Sequence, residues 1–271
     1  MRGCLSSAGV VSLALLIFVP FFTIPAASSG ADFVVRAGGK LLLGGEPFSF
    51  VGANAYYLFM DAARGDTDAV REVFTATRSA GVTLIRTWAF NDSPDSVDPA
   101  VIQYRPGILN ESALKGLDYV LARGAEFDIR VLLVLVTSWD DYGGMNRYAQ
   151  WRSAVSGVAA AADAPAGESP AKYSTDQRSA LVNGAAGRSY RVALNGSWGH
   201  DDFYTDSIIG SWYRNYLAQI TGRMNTISGV SYRDDPAIFG WELANEPRSS
   251  DRSGTIVRNW LSSMSDYLKS I

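Results

Sequence analysis

The chain has 271 residues, 24 Lys plus Arg against 27 Asp plus Glu, a net charge of −3 and 47% hydrophobic residues. That is enough apolar material for one large domain with a sizeable core, and it excludes a disordered chain; with no cluster of Lys or Arg, nucleic acid is not an expected partner. One cysteine, Cys4, and one histidine, His200, leave little room for thiol chemistry, a Cys- or His-based metal site or a His-based triad.

Taken from the N-terminus, residues 1–30 read as a secretory signal peptide. Arg2 supplies the charge, Val10 to Ile24 the apolar run, and Ala26 to Ser29 the small residues for cleavage. An uncleaved anchor is the alternative, against which Pro20 and the small residues argue. Cys4 lies inside the signal, so the mature chain is expected to have no disulfide. Phe33 to Leu43 and Phe48 to Phe50 suggest a hairpin turned at Gly44-Gly45, and Phe50 to Asn54 a first buried strand. Asp66 to Ala80 has helical spacing through Val70, Val73, Phe74 and Thr77, with Gly81 past its end. Val82 to Ala89 is a second strand. Asn110 caps a helix running to Phe127, with Leu114, Leu117, Val120 and Leu121 on one face. Arg130 to Thr137 is a third strand, apolar throughout as when both sheet faces are covered. A helix over Trp212 to Ser228, a fourth strand over Ala237 to Leu243 and a helix over Gly254 to Ile271 follow. Residues 152–199 have no clean period and read as a low-complexity insertion, longer than ordinary loops.

Four strands, each followed by a helix, imply an α/β fold with a parallel sheet and right-handed crossovers. Eight such units, typically about 250 residues, close a (β/α)8 barrel. Four could also form an open doubly wound sheet, but the Gly-rich phosphate fingerprint is missing; after the first strand stands Gly52-Ala-Asn-Ala-Tyr-Tyr57.

With Cys and His so scarce, chemistry must run on carboxylates, Tyr, Lys or Arg. The densest signal is Gly240-Trp-Glu-Leu-Ala-Asn-Glu-Pro247, an apolar strand running into two carboxyls and an amide. In a barrel the catalytic face lies at strand C-termini, which puts Glu246 on it. Glycoside hydrolysis needs one carboxylic acid to protonate the departing oxygen and a second carboxylate across the sugar. Glu242 cannot be that second group: four residues back on one strand, its Cα should be about 13 Å away. It is expected to point into the sheet and pair with a neighbour. Asp140 and Asp141 are expected to solvate or cap their loop. Trp139, Tyr142 and Trp151 suit either a sugar platform or packing, and Tyr56 or Tyr57 a cleft wall. His200 reads as a solvated loop residue. Asn110-Glu-Ser and Asn195-Gly-Ser are plausible glycosylation acceptors; Asn91-Asp-Ser is a poor one.

In order along the chain stand Val51-Gly-Ala-Asn-Ala-Tyr-Tyr-Leu58, Ile85-Arg-Thr-Trp-Ala-Phe90, Gln103-Tyr-Arg-Pro-Gly107, Leu135 to Gly144, Asp201-Asp-Phe-Tyr204, Arg223 to Pro236 and Trp241 to Arg248. Together they resemble the plant-type endo-β-1,4-mannanases of glycoside hydrolase family 5, clan A, which are (β/α)8 barrels; only about the first four β/α units are expected in this chain. The resemblance implies a catalytic Glu246 acting as acid/base. It makes Asn245 the amide facing the sugar 2-hydroxyl, Arg86 the arginine that holds the nucleophilic carboxylate, and Trp88 a substrate-contacting aromatic. It implies retaining hydrolysis of 1,4-β-mannosidic bonds in mannan, galactomannan or glucomannan, without metal or cofactor, by a secreted enzyme monomeric at full length. The family's nucleophile lies on strands beyond this chain, so these 271 residues alone are expected to be inactive. The rival readings are a non-catalytic mannan-binding remnant, another clan A β-glycanase, and a half-barrel completed by dimerisation.

Overall fold

The computed structural model describes residues 32–95, 97–162 and 199–271, with side chains of 156–162 left aside. The expected signal peptide and the greater part of the expected insertion lie outside the described residues.

Strands β1 (Val34–Ala37), β2 (Lys40–Leu43) and β3 (Glu46–Pro47) form a small antiparallel sheet. The expected hairpin therefore has a second reversal, at Gly38-Gly39. Both glycines there have positive φ, as do Gly44 and Gly45, and only glycine takes up that conformation without steric cost.

The main sheet is parallel, in the order β4 (Gly52–Asn54), β5 (Leu84–Trp88), β8 (Arg130–Val134), β9 (Ile238–Glu242). Leu84 pairs with Arg130, Trp88 with Val134, and Val134 with Glu242. These are the four expected strands. The central pair is buried, but the expected first strand over Phe50 to Asn54 is not: Phe50 is 45% and Val51 61% exposed and β4 itself is mostly exposed, because it is an outer strand of the sheet. Strands β6 (Gln103–Arg105) and β7 (Ile108–Leu109) make a two-stranded flap.

Helix α1 (Leu58–Ala63), absent from the sequence reading, follows β4 and packs on α3 (Glu111–Phe127). Gly116 makes the approach possible, since a Cβ there would lie 2.4 Å from the Phe59 carbonyl oxygen. Helix α2 (Thr67–Ser79) is capped by Asp66, whose side chain accepts from the Ala69 amide, and buries Val70 and Phe74. Asn110 caps α3 by accepting from Ser112, and Leu114, Leu117, Val120 and Leu121 are buried as expected. The cap is 9% exposed, and its amide nitrogen donates to the Pro99 carbonyl, so the folded chain closes this glycosylation motif. Asn91 is closed in the same way, its amide spent on the Ala100 carbonyl.

Helix α4 (Gly144–Ala162) runs into the region read as insertion, which therefore begins as helix. After α5 (Asp202–Thr205), α6 covers Ser207–Thr221 rather than 212–228. Asp206 starts it by accepting from the amides of Ile208 and Ile209. The tail of the expected helix is instead a loop organised by Asn225, which accepts from Ile227 and Ser228 and donates to the Asp118 carbonyl. Helix α7 (Thr255–Ser270) ends the described chain. Beneath the sheet, Arg223 makes two bonds to the buried Asp118 and two to Glu111. Tyr232 and Thr226 donate to Asp118 as well, so its buried charge is matched by donors on several sides.

Candidate active site

Arg86, Trp88, Asn245 and Glu246 lie on β5 or just past the end of β9, towards the C-terminal side of the parallel sheet. Arg86, on β5, is held across β8 by Glu242 on β9: Nε to Oε2 at 2.7 Å and Nη2 to Oε1 at 2.6 Å. The same Nη2 reaches Asn245 Oδ1 at 2.8 Å, and Nη1 reaches Asn54 Oδ1 at 3.3 Å. Glu242 thus pairs with a neighbour, and the carboxylate that Arg86 holds here is Glu242. Asn245 is fixed at its other end, its Nδ2 donating to Thr137 Oγ1 at 3.1 Å. Since both polar atoms of that amide are engaged, its orientation is set before any ligand arrives.

Glu246 follows immediately, in left-handed backbone conformation with φ 47°, an uncommon state for a non-glycine residue and one that clusters at functional sites. Its side chain is 54% exposed. Trp139 Nε1 donates to its Oε2 at 3.0 Å and Arg248 Nη2 to the same oxygen at 2.6 Å. The Arg248 guanidinium lies over the Trp139 ring at 4.0 Å from the centroid. These two bonds, first Trp139 and then Arg248, with Arg86 adding a favourable charge, hold the Glu246 carboxyl below the usual range.

Trp88 closes the other flank. Its ring packs on Tyr56 at 4.6 Å, Phe90 at 4.8 Å and Tyr142 at 4.9 Å between centroids. Its indole N–H is buried without a hydrogen-bond partner among the described residues, which is costly in a finished core and common where a ligand completes a site. Tyr142 has φ 61° and is 37% exposed. Its loop depends on the next two glycines: a Cβ on Gly143 would lie 2.0 Å from the Asp92 carbonyl oxygen, and one on Gly144 2.4 Å from that of Thr137. Asp140 binds Asn146, a loop-fixing role. Trp151 packs on Tyr148 at 5.2 Å, away from a platform role.

His200 is the main correction. It is not a free loop residue: its Nε2 is 2.8 Å from Ser138 Oγ and its Nδ1 3.1 Å from Asp201 Oδ1. One histidine suffices for a Ser–His–Asp row, and His200 makes one with Ser138 and Asp201. The signal was there in part: Ser138 follows a strand in the same motif as Trp139, and Asp201 is next to His200. Their meeting across the insertion was not readable. Trp139, Arg248, His200 and Ser250 border an open hollow of about 230 Å³.

A further buried acid lies beneath. Asp92 is fully enclosed, bonded by Gln103 Nε2 at 3.2 Å. Burial pushes its carboxyl up to about 7, against smaller opposing pulls from Gln103 and the Arg147 charge.

Residues 31–271 match the family described as GH family 5 beta-mannosidase-like. The chain is 32% identical over 264 residues to the putative mannan endo-1,4-beta-mannosidase 4 of Arabidopsis thaliana, covering 97% of this chain and 54% of that one. It is 34% identical over 250 residues to mannan endo-1,4-beta-mannosidase 1 of Oryza sativa subsp. japonica, covering 91% and 48%. Among solved structures, the endo-1,4-beta-mannanase of Rhizomucor miehei superposes with TM-score 0.65 at 30% identity, over 88% of this chain and 58% of that one. The chain thus spans about half the length of the curated relatives it matches.

Proposed function

Since the chain belongs to the β-mannosidase-like glycoside hydrolases of family 5, a family of (β/α)8 barrels, we propose that it carries the acid/base half of a retaining endo-β-1,4-mannanase site. The observation that carries this reading is the Arg86–Glu242–Asn245–Glu246 constellation at the ends of neighbouring parallel strands. Glu246 protonates the leaving oxygen of a 1,4-β-mannosidic bond and then takes a proton from the water that resolves the glycosyl-enzyme. Asn245, pre-aligned by Arg86 and Thr137, meets the sugar 2-hydroxyl. Trp88 and Tyr142 form the apolar wall against which a sugar ring packs. The polysaccharide substrate and a location outside the cell agree with the relatives' printed activity and with the signal-type N-terminus.

Retention also needs a second carboxyl about 5–5.5 Å from the first. Three acids near the strand ends are engaged elsewhere: Glu242 with Arg86, Asp140 with Asn146, and Asp251 with Ser253 and the Ile256 amide. We therefore propose that the nucleophile belongs to the other half of the barrel, and that these 271 residues bind manno-oligosaccharide without turning it over. Isothermal titration with mannohexaose, beside a reducing-sugar assay on galactomannan, tests this. Binding that weakens in Trp88→Ala, with no turnover, is the expected result. Hydrolysis that disappears in Glu246→Gln would show the chain to be a complete enzyme. Absence of binding would remove the mannan reading of this site.

A further inference from the structure

Among the described residues, Trp139 and Arg248 hydrogen-bond the Glu246 carboxylate, and both are substantially exposed, Trp139 to 45% and the Arg248 side chain to 57%. Long exposed side chains hold a geometry poorly, because ordering them costs rotamer entropy and exposed ion pairs give little back. Something must fix their backbones. The segment 199–205 makes the needed contacts with both loops at once. His200 Nε2 reaches Ser138, the residue before Trp139, at 2.8 Å. The Tyr204 hydroxyl accepts from the Arg248 amide at 3.1 Å and donates to the Arg248 carbonyl at 2.8 Å. Asp201 Oδ2 takes the Ser250 amide at 2.7 Å and its hydroxyl at 2.5 Å, while Oδ1 orients His200. The segment is itself anchored by Phe203, 1% exposed, whose ring meets Tyr148 and Tyr213 at 5.2 Å and Trp260 at 5.5 Å.

We propose that His200, Asp201 and Tyr204 form a brace that holds Trp139 and Arg248 against Glu246, and that all three are positioning residues for the acid/base carboxyl. The inference rests on the reading of Glu246 as that acid/base. The Ser138–His200–Asp201 row does not serve as a nucleophile here. Acyl transfer needs backbone amides aimed at a developing oxyanion, and those of Ser138 and Trp139 are spent on the Asn245 carbonyl and on Thr137 Oγ1.

The brace has a readout independent of hydrolysis. In the 271-residue chain labelled with ¹³C at glutamate carboxyls, the Glu246 signal is assigned by its loss in Glu246→Gln and titrated by NMR. Tyr204→Phe and Asp201→Asn, neither of which touches Glu246, should raise its midpoint in the same direction as Arg248→Ala, by at least about 0.5 pH unit, a threefold change in proton affinity. Ser250→Ala, a milder cut at the surface end of the brace, supplies the same test should Asp201→Asn not fold. Folded Tyr204→Phe and Ser250→Ala chains with an unmoved Glu246 midpoint would overturn the proposal. So would covalent labelling of Ser138 by a fluorophosphonate, which would make the row a nucleophile. If the chain proves not to bind manno-oligosaccharide, the carboxyl titration still decides the brace, so the two readings fail separately.

Discussion

At the residue scale, the site sets two acids in opposite states. Glu246 stands in the open with two donors on one oxygen and is held low; Asp92 is enclosed, has one amide donor and is pushed up to about 7. For Asp92 the folded chain binds the proton more tightly than the unfolded chain, whose carboxyl titrates near 4. Its share of stability is therefore intact below about pH 4 and falls as pH rises towards about 7, where the acid ionises without an adequate partner. Asp92→Asn keeps an acceptor for Gln103 and removes the charge. The expected outcome is a flatter curve of Tm against pH between about 4 and 7 and a higher Tm at neutral pH, measured by thermal melts across that window. A steeper loss in the variant would mean that Arg147 compensates the ionised form well. Residue identity was the most legible layer in the sequence. Glu246, Asn245, Arg86 and Trp88 stand towards one end of one sheet, with Arg86 bonded to Asn245. What escaped was pairing between distant segments: His200 with Ser138 and Tyr204 with Arg248 lie 62 and 44 residues apart, beyond any periodicity.

At the element scale, strands and amphipathic helices were recovered because their signals are local: aliphatic runs for β5 and β8, and 3.6-residue spacing with Asn or Asp caps for α2 and α3. The errors share a cause. The helix expected from Trp212 begins five residues earlier, at Ser207, because the Asp206 side chain accepts from the amides of Ile208 and Ile209. Helix α1 is six residues long and owes its place to packing on Gly116 rather than to propensity. Asp206 offers a direct measure. Beyond its two cap bonds it pairs with Arg152 at 3.1 Å, with both side chains largely buried. Asp206→Ala should cost about 1–3 kcal/mol in urea unfolding, the upper part coming from the lost ion pair. Asp206→Asn, which retains a cap acceptor, should cost less. Equal losses would show that the ion pair, not the cap, carries the effect.

At the scale of the whole molecule, the main sheet has two outer strands, and β4 and β9 lie at opposite edges. Around them Phe48, Phe50 and Phe239 cluster, Phe50 and Phe239 meeting edge-on at 5.4 Å, with Phe50 and Val51 well exposed. Unpaired strand edges beside exposed apolar side chains are templates for association. The chain by itself should therefore show an apparent mass that grows with concentration in sedimentation velocity, and Val51→Lys, on the strand leading into β4, should reduce it. A monodisperse species over a hundredfold range of concentration would contradict this.

The Arg86–Glu242 pair bridges two strands that are not neighbours, with β8 lying between them, and joins residues 156 positions apart. Closing so long a loop is entropically expensive, so such a contact comes late on the way to the native state. Arg86→Met should then leave the rate of refolding nearly untouched and act mainly on escape from the folded state, seen in stopped-flow as a raised unfolding limb above an unchanged folding limb. The pair that aligns Asn245 beside Glu246 would thus also govern how long, once made, the arrangement lasts.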